Sequence, residues 1–434
     1  MFKQGLIAWL DVPRGLDMAR ALLFASLIVL PVMVVAAPGG IIAADVFLLM
    51  GCAAGWFGLR IAQQRLQLPD WIWWASALLF PYYVAMLFGP GFHSLSGYPI
   101  ALVQHIYAPV FAILLVYGAQ LLWKEDAATV IYRGIALSGL IVVGMDIVIA
   151  VLAMTGIFVF VPAFRDGFYP SRLDWPFARP SQLPGFLLVT FPVTTMWVYE
   201  WLVAKRGYRL AGFVTLINIL AHIMLATLSG SRAGFTGAVL EAAGLLVLVF
   251  LRAPYRRWPV LLTIFVGGVA LSFGGLLLLG QSNWVVNRAL LVFSDAVSGS
   301  SLVGMDFRAH NWEFAQRLFL GHPLFGGGLT SATAEYGYEI HNTFLGAFAE
   351  LGVLGGVTTL LLIVGVPALG MLLSFVAGVR ARTQGLIPPL FLAMAGSASF
   401  AATHYVLRQR WIWVSVMLMI LLISDLRSAW RKPA

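Results

Sequence analysis

Three residues that could hold an anion or move a proton stand at boundaries between polar and apolar stretches of the chain. Arg232 lies between two apolar runs, Arg308 lies in a polar stretch, and His341 immediately precedes a third apolar run. Arginine presents paired N–H donors that fit phosphate or carboxylate oxygens, and a neutral histidine can accept a proton from a hydroxyl. Two plainer interpretations stay open. Arg232 could simply be an arginine whose side chain reaches to the membrane surface. His341 could be a hydrogen-bonded structural residue.

The elements that would position these residues are membrane-spanning helices. The chain is 61% hydrophobic and 10% charged, whereas soluble domains are about 25% charged. Because a bilayer core takes roughly 20 apolar residues per helix, the hydropathy pattern predicts an all-α polytopic membrane protein of about twelve spans in a single membrane domain, 1–434. The predicted spans are 21–37, 41–59, 71–89, 99–122, 134–160, 184–203, 211–228, 234–251, 259–280, 343–377, 386–405 and 411–425.

The tenth span is too long for one straight helix. We expect a partly buried or re-entrant segment before Gly352 and a span after Gly355. Glu350 lies in this apolar stretch. An acid inside a membrane is costly enough to indicate function, but it could equally neutralise an arginine on a neighbouring helix.

The basic residues predict the orientation. With the N-terminus in the cytoplasm, two thirds of the 27 Lys and Arg residues fall on the cytoplasmic side, which is the bias that membrane proteins show. Both termini are therefore expected inside. The net charge of +9 has the same origin, and no basic run is long enough to indicate a nucleic-acid partner. The single cysteine, Cys52, excludes a disulfide framework and a Cys-based metal site.

Two predicted outer loops are long enough to be more than connectors. The smaller, 161–183, is rich in Pro, Arg and aromatic residues and carries Arg179. It fits a loop at the lipid headgroups at least as well as a ligand contact. The larger, 281–341, carries Arg288 and Arg308 and ends at His341.

The larger loop contains a predicted amphipathic helix from Arg308 to Leu320, with Asp306 as its N-cap. Its apolar face is expected to consist of Trp312, Ala315, Leu318 and Phe319. His322-Pro323 should end the helix. The glycine triplet 326–328 lacks the spacing of a nucleotide-phosphate loop, so we interpret it as a structural turn.

Three motifs follow one another between 231 and 355. Ser231-Arg232 stands at a junction of two apolar runs; Arg308 is followed by Trp312 and by HPLFGGG; and His341-Asn342 is followed by nine residues and then Gly352-Val353-Leu354-Gly355. In this order they resemble the O-antigen ligase/polymerase superfamily of bacterial envelope glycosyltransferases. Its hallmark is a His followed by Asn, Ser or Gln, nine residues, and Gly-x-x-Gly. The first half of the chain is similar only in hydropathy.

This resemblance implies a function. It implies transfer of a glycan from undecaprenyl diphosphate to an acceptor hydroxyl, at the periplasmic face of the inner membrane, by a fold of the GT-C type. It also implies no nucleotide sugar, metal or other cofactor. The implied partners are the lipid-linked donor, an acceptor that is lipid A-core or a growing glycan, and membrane lipids.

The resemblance also implies roles for residues. The implied catalytic residues are His341, Arg232 and Arg308. The expected substrate contacts are Arg288, Arg179, Asn342, Trp312 and Glu350.

Other functions stay open. The best prediction is an O-antigen ligase that acts on lipid A-core. An O-antigen or exopolysaccharide polymerase is the close alternative, and a protein O-oligosaccharyltransferase a more distant one. From a different class, a polysaccharide transporter or flippase would suit the acids Asp45 and Asp146 inside apolar runs. Against it, the chain shows no internal repeat.

Overall fold

A computed structural model describes residues 14–31, 43–61, 68–89, 98–154, 177, 182–279, 302–376 and 384–430. Within these ranges the secondary structure is helical, without strands. In chain order the helices are α1 Arg14–Ile28, α2 Ala43–Ile61, α3 Asp70–Phe88, α4 Tyr98–Trp123, α5 Ala127–Met154, α6 Gln182–Arg206, α7 Tyr208–Leu228, α8 Arg232–Arg252, α9 Trp258–Leu279, α10 Leu302–Gly321, α11 Ser331–Tyr336, α12 Thr343–Leu360, α13 Val366–Val376, α14 Ile387–Ala401 and α15 Arg410–Trp430.

The helices have the length and surface of a membrane protein. In the described residues, seven helical stretches are long and apolar enough to cross a bilayer. Large apolar side chains also point outward from the bundle: Leu251 is 71% exposed and Phe80 67%. An apolar outer surface of this kind suits lipid rather than water. The expected helical membrane architecture is therefore confirmed at this level.

Within the described residues each predicted span overlaps a helix, although the helix of the first span ends at Ile28 and that of the eleventh at Ala401. The tenth span breaks where expected. Gly352 interrupts α12. The nine residues 343–351 rise only about 13 Å at 1.5 Å per residue, too little for a core about 30 Å thick. The stretch after the break continues through a π-helical turn, Leu361–Gly365, into α13.

Two expectations for the amphipathic helix are wrong. The helix α10 begins at Leu302, so Asp306 lies inside it rather than at its N-cap. Trp312 is 49% exposed, whereas Asn311, Ala315 and Leu318 are buried. The buried residues still follow a helical period, but the buried face begins at Asn311 rather than at Trp312. Asn311 is polar and is held there by hydrogen bonds to the loop before His341.

The bundle is organised around α6, which packs against α5, α7, α8 and α14. Contacts between helix ends define one end of the bundle. A Cβ added to Gly234 at the start of α8 would lie 2.4 Å from Pro184 Cβ at the start of α6. One added to Gly185 would lie 3.1 Å from Gln409 Oε1, in the segment 402–409 that leads into α15. We call this end, where α6, α8, α12 and α15 begin, the His341 end.

Asp45 and Arg410 form a buried ion pair at this end. Arg410 Nη2 lies 2.9 Å from Asp45 Oδ2, and the two residues are 9% and 1% exposed. The guanidinium also lies over the rings of Tyr107 and Phe111, 5.2 and 5.9 Å from their centroids. Asp45, which the transporter alternative invoked as a coupling acid, therefore ties α2 to α15.

Removing one partner of this pair should destabilise the protein. Asp45→Ala leaves a buried cation without its carboxylate, a change that costs about 3–5 kcal/mol in buried pairs. We expect the lower end, about 3 kcal/mol, because the two rings still face the guanidinium. The measurement is unfolding of the purified protein in mixed micelles.

The control for this prediction is the double variant Asp45→Asn/Arg410→Gln, which removes both charges. It should be more stable than Asp45→Ala, because no buried charge is left alone. Equal stability of Asp45→Ala and the unaltered protein would contradict the prediction.

Candidate functional site

The break in α12 is built on Gly352. Its φ of 64° and ψ of −162° fall in a region that only glycine adopts readily. There the backbone N–H of Val353 donates to the carbonyl of Pro323 over 2.8 Å. A Cβ at Gly352 would lie 2.4 Å from the backbone of Leu324. The break thus serves as a docking point for the segment after α10.

The glycine triplet is a structural turn, as predicted, and it docks on the same break. The N–H groups of Gly327 and Gly328 donate to the carbonyls of Ala349 and Glu350 over 2.8 and 2.9 Å. Gly326 has a φ of 71°, and a Cβ on it would lie 2.3 Å from the Glu350 carbonyl carbon. Two backbones therefore meet without side chains between them, which fixes the loop against α12.

Substituting Gly352 tests this docking. Gly352→Ala should destabilise the protein by at least about 2 kcal/mol, since it combines backbone strain with a methyl group forced against the backbone of Leu324. Thermal unfolding in detergent measures the effect. The matched control is Gly321→Ala at the end of α10, where an added Cβ meets nothing within 4 Å. Equal loss from both variants would show that the break is not a tight contact.

Glu350 holds the same loop from within the bundle. Its side chain is 4% exposed, and the carboxylate accepts hydrogen bonds from the backbone N–H groups of Thr330 and Ala332 at the start of α11. The charges of Arg408 and Glu339 also act on it. The residue that pairs directly with Arg408 is Glu339, so the two roles expected for Glu350 both stay open.

Arg408 links this segment to the loop before His341. Its Nη2 lies 2.5 Å from Glu339 Oε1, and its guanidinium lies 5.2 Å from the centroid of the Tyr405 ring. Burial acts to lower the pKa of Arg408, but the neighbouring acidic groups, Glu339 foremost, together outweigh burial and raise that pKa above its ordinary value. Arg408 is therefore a permanent cation, and its partner Glu339 lies two residues before His341 in the sequence.

Tyr405 continues the network into the bundle. Its hydroxyl lies 2.7 Å from His105 Nε2. His105 Nδ1 lies 2.7 Å from the Ala101 carbonyl, which can only accept. In the neutral imidazole Nδ1 thus carries the proton, and Nε2 accepts from the tyrosine hydroxyl. The Tyr405 hydroxyl is therefore the donor in this pair.

His341 itself stands at the mouth of α12. Its side chain is exposed, and its backbone N–H donates to Asn311 Oδ1 over 3.2 Å. The Asn311 amide in turn donates to the Glu339 carbonyl over 3.3 Å. The backbone that carries the imidazole is thus anchored to α10, while the side chain is exposed.

Asn342 and Thr343 secure the start of α12. Asn342 is the N-cap, and its Oδ1 accepts from the N–H groups of Phe344 and Leu345, both over 3.0 Å. The Thr343 hydroxyl donates to the His404 carbonyl over 2.6 Å. The oxygen of Asn342, which was expected to contact substrate, is therefore engaged in capping.

Arg232 lies at the same end of the bundle. It is exposed in the first turn of α8, whose N-cap Ser231 accepts from the Gly234 N–H over 3.1 Å. Gly234, two residues later, packs directly on Pro184 at the start of α6. A cation in a first turn is unfavourable to the helix dipole, and an anion bound there would offset this.

The structure describes the other expected site residues only in part. Arg308 lies on α10, the helix that anchors His341 through Asn311, but its side chain falls outside the described residues. Arg288 and Arg179 lie outside them entirely. Trp312 is on the exposed face of α10.

Sequence reasoning missed the network behind His341. None of its members was singled out: Arg408, Glu339, Tyr405, His105 and Asn311. The one usable signal was the acid Glu339 two residues before His341. In the part of the chain that the structure describes, no cluster of three His, Cys, Asp or Glu side chains could hold a metal ion.

Comparison with known proteins adds no assignment. No protein-family model and no curated protein matches the chain.

Proposed function

We propose that the chain is a membrane glycosyltransferase, which moves a glycan from undecaprenyl diphosphate to an acceptor hydroxyl. The observation that carries the proposal is the setting of His341. It is an exposed imidazole on a backbone anchored to α10 and α12, at the bundle end that also presents Arg232. A base and an arginine on one end of an apolar bundle suit a substrate with a lipid tail, an anionic diphosphate and a sugar.

The proposed placement follows the sequence. The chain would span the bacterial inner membrane about twelve times, with both termini in the cytoplasm, in a fold of the GT-C type. The His341 end would then face the periplasm, where lipid-linked glycans are exposed. The Lys and Arg bias supports this orientation.

The chemistry requires one bond to form and one to break. The acceptor hydroxyl oxygen attacks the anomeric carbon, its proton passes to the His341 imidazole, and the bond from that carbon to the diphosphate oxygen breaks. The lipid diphosphate leaves with its extra negative charge. Arg232 and Arg308 would stabilise that charge as it develops, which lowers the barrier because the interaction is stronger in the transition state than before it.

The remaining residues would support this step. Arg288, Arg179 and Trp312 are proposed to contact the donor or the acceptor. Glu350 and Asn342 are better suited to positioning, since Glu350 fixes the glycine loop and Asn342 caps the helix behind His341.

The test is transfer by purified protein in detergent, with a lipid-linked glycan as donor and either lipid A-core or a second lipid-linked unit as acceptor. Product on lipid A-core supports the proposed O-antigen ligase, and chain extension supports the polymerase. Because no ion gradient exists in detergent, transfer also excludes a transporter as the explanation. Absence of both products with folded protein would overturn the proposal.

A further inference from the structure

A cavity of about 550 Å³ lies at the end of the bundle opposite the His341 end. It is formed where α3 begins and where α13 and α15 end. Its walls are mainly aliphatic, with Leu78, Leu369, Leu373 and Ile420 among them. Leu369 is 47% exposed, so the cavity opens on the outer surface of the bundle. We call it the α3–α15 groove.

The mouth of the groove is marked by tryptophan and arginine. The Arg427 guanidinium lies 5.3 Å from the centroid of the Trp74 ring. Trp74 and Trp430 both line the groove and are about half exposed, at 53% and 50%. Tryptophan side chains of this kind concentrate where apolar lipid chains give way to headgroups. The groove therefore runs from the apolar surface to the headgroup level.

Two opposite charges stand at this mouth. Arg427 and Asp70 both line the groove, and both are exposed. Within the described residues neither has an ion-pair partner within 4 Å. Ser424 adds a hydroxyl to the same lining. An apolar trough that ends in one cation and one carboxylate is complementary to a molecule with an apolar chain and a zwitterionic head.

We propose that the α3–α15 groove binds a glycerophospholipid with a primary-ammonium zwitterionic headgroup, of the phosphatidylethanolamine type. An acyl chain lies along the aliphatic walls, the phosphate is held by Arg427, and the ammonium donates to Asp70. A purely anionic headgroup would meet the repulsion of Asp70. A trimethylammonium group has no N–H with which to donate to that carboxylate. This site is separate from the proposed glycosyl-transfer site and does not depend on it.

The experiment is native mass spectrometry of the full-length protein from a neutral detergent. Phosphatidylethanolamine, phosphatidylglycerol and phosphatidylcholine with identical acyl chains are added in turn. The wall variant is Leu369→Trp, which fills the groove. Its matched control is Leu372→Trp on the same helix α13, since Leu372 is 59% exposed and does not line the groove.

The proposal predicts a specific pattern of retained lipid. Leu369→Trp should lower retention of phosphatidylethanolamine several-fold, and Leu372→Trp should leave it unchanged. Asp70→Asn should remove the preference for phosphatidylethanolamine over phosphatidylglycerol, whereas Arg427→Gln should weaken retention of both. Equal retention in the two tryptophan variants would overturn the site. A preference that survives Asp70→Asn would overturn the headgroup assignment.

Discussion

Replacing His341 by alanine is expected to lower the rate of glycan transfer by about 100- to 10,000-fold, the usual contribution of a general base. The loss should come from the missing imidazole itself. The imidazole is exposed, while its backbone is tied to Asn311 and followed by the N-cap Asn342. Alanine leaves these backbone contacts in place, so the loss should fall on kcat and not on folding. The measurement is the initial rate of transfer at saturating donor.

The matched control for this variant is His322→Ala. His322 is an exposed histidine at the end of α10, in the loop that leads to His341. Its loss should change the rate by less than about twofold, because surface substitutions away from a site have small effects. A His341→Ala protein with unchanged kcat would contradict the assignment of the base.

Replacing Arg232 is expected to lower transfer by about 100- to 1,000-fold, the usual effect of removing one donor to a developing negative charge. Arg232→Lys should recover only part of this loss, because an ammonium lacks the paired N–H donors of a guanidinium. The rate is measured for both variants at equal levels of folded protein.

The lysine variant separates the two interpretations of Arg232. An arginine that only reaches to the membrane surface would be replaced by lysine without loss. Arg209→Ala, an exposed arginine at the opposite end of α7, is the control for loss of positive charge. Full activity of Arg232→Ala would remove Arg232 from the proposed site.

Most of the helical framework could be predicted from the sequence. Apolar runs of the right length specify spans wherever they occur, because every backbone polar group in lipid must be paired within the segment. The break at Gly352 was also predictable, since glycines after a long apolar run permit a conformation that other residues avoid. The start of α10 was not. Asp306 was the predicted N-cap, but the helix begins at Leu302.

Only part of the candidate site could be predicted from the sequence. The exposed His341 and the helix start at Arg232 follow from local sequence. The network behind them does not, because its members come from distant parts of the chain: Tyr405 and His105, for example, are 300 residues apart. Periodicity places His105 and Asn311 on helices, but it does not show which helices and connecting segments meet.

The sequence by itself determined the class of protein, the positions of the helices, the turn at the glycine triplet and the break in α12. These depend on hydropathy, period and backbone freedom, which act within a few residues. Tertiary structure alone decided that Asp45 pairs with Arg410, that Arg408 pairs with Glu339 beside His341, and that Glu350 holds α11. Those outcomes depend on burial and on which charges meet, and only the packed bundle sets both.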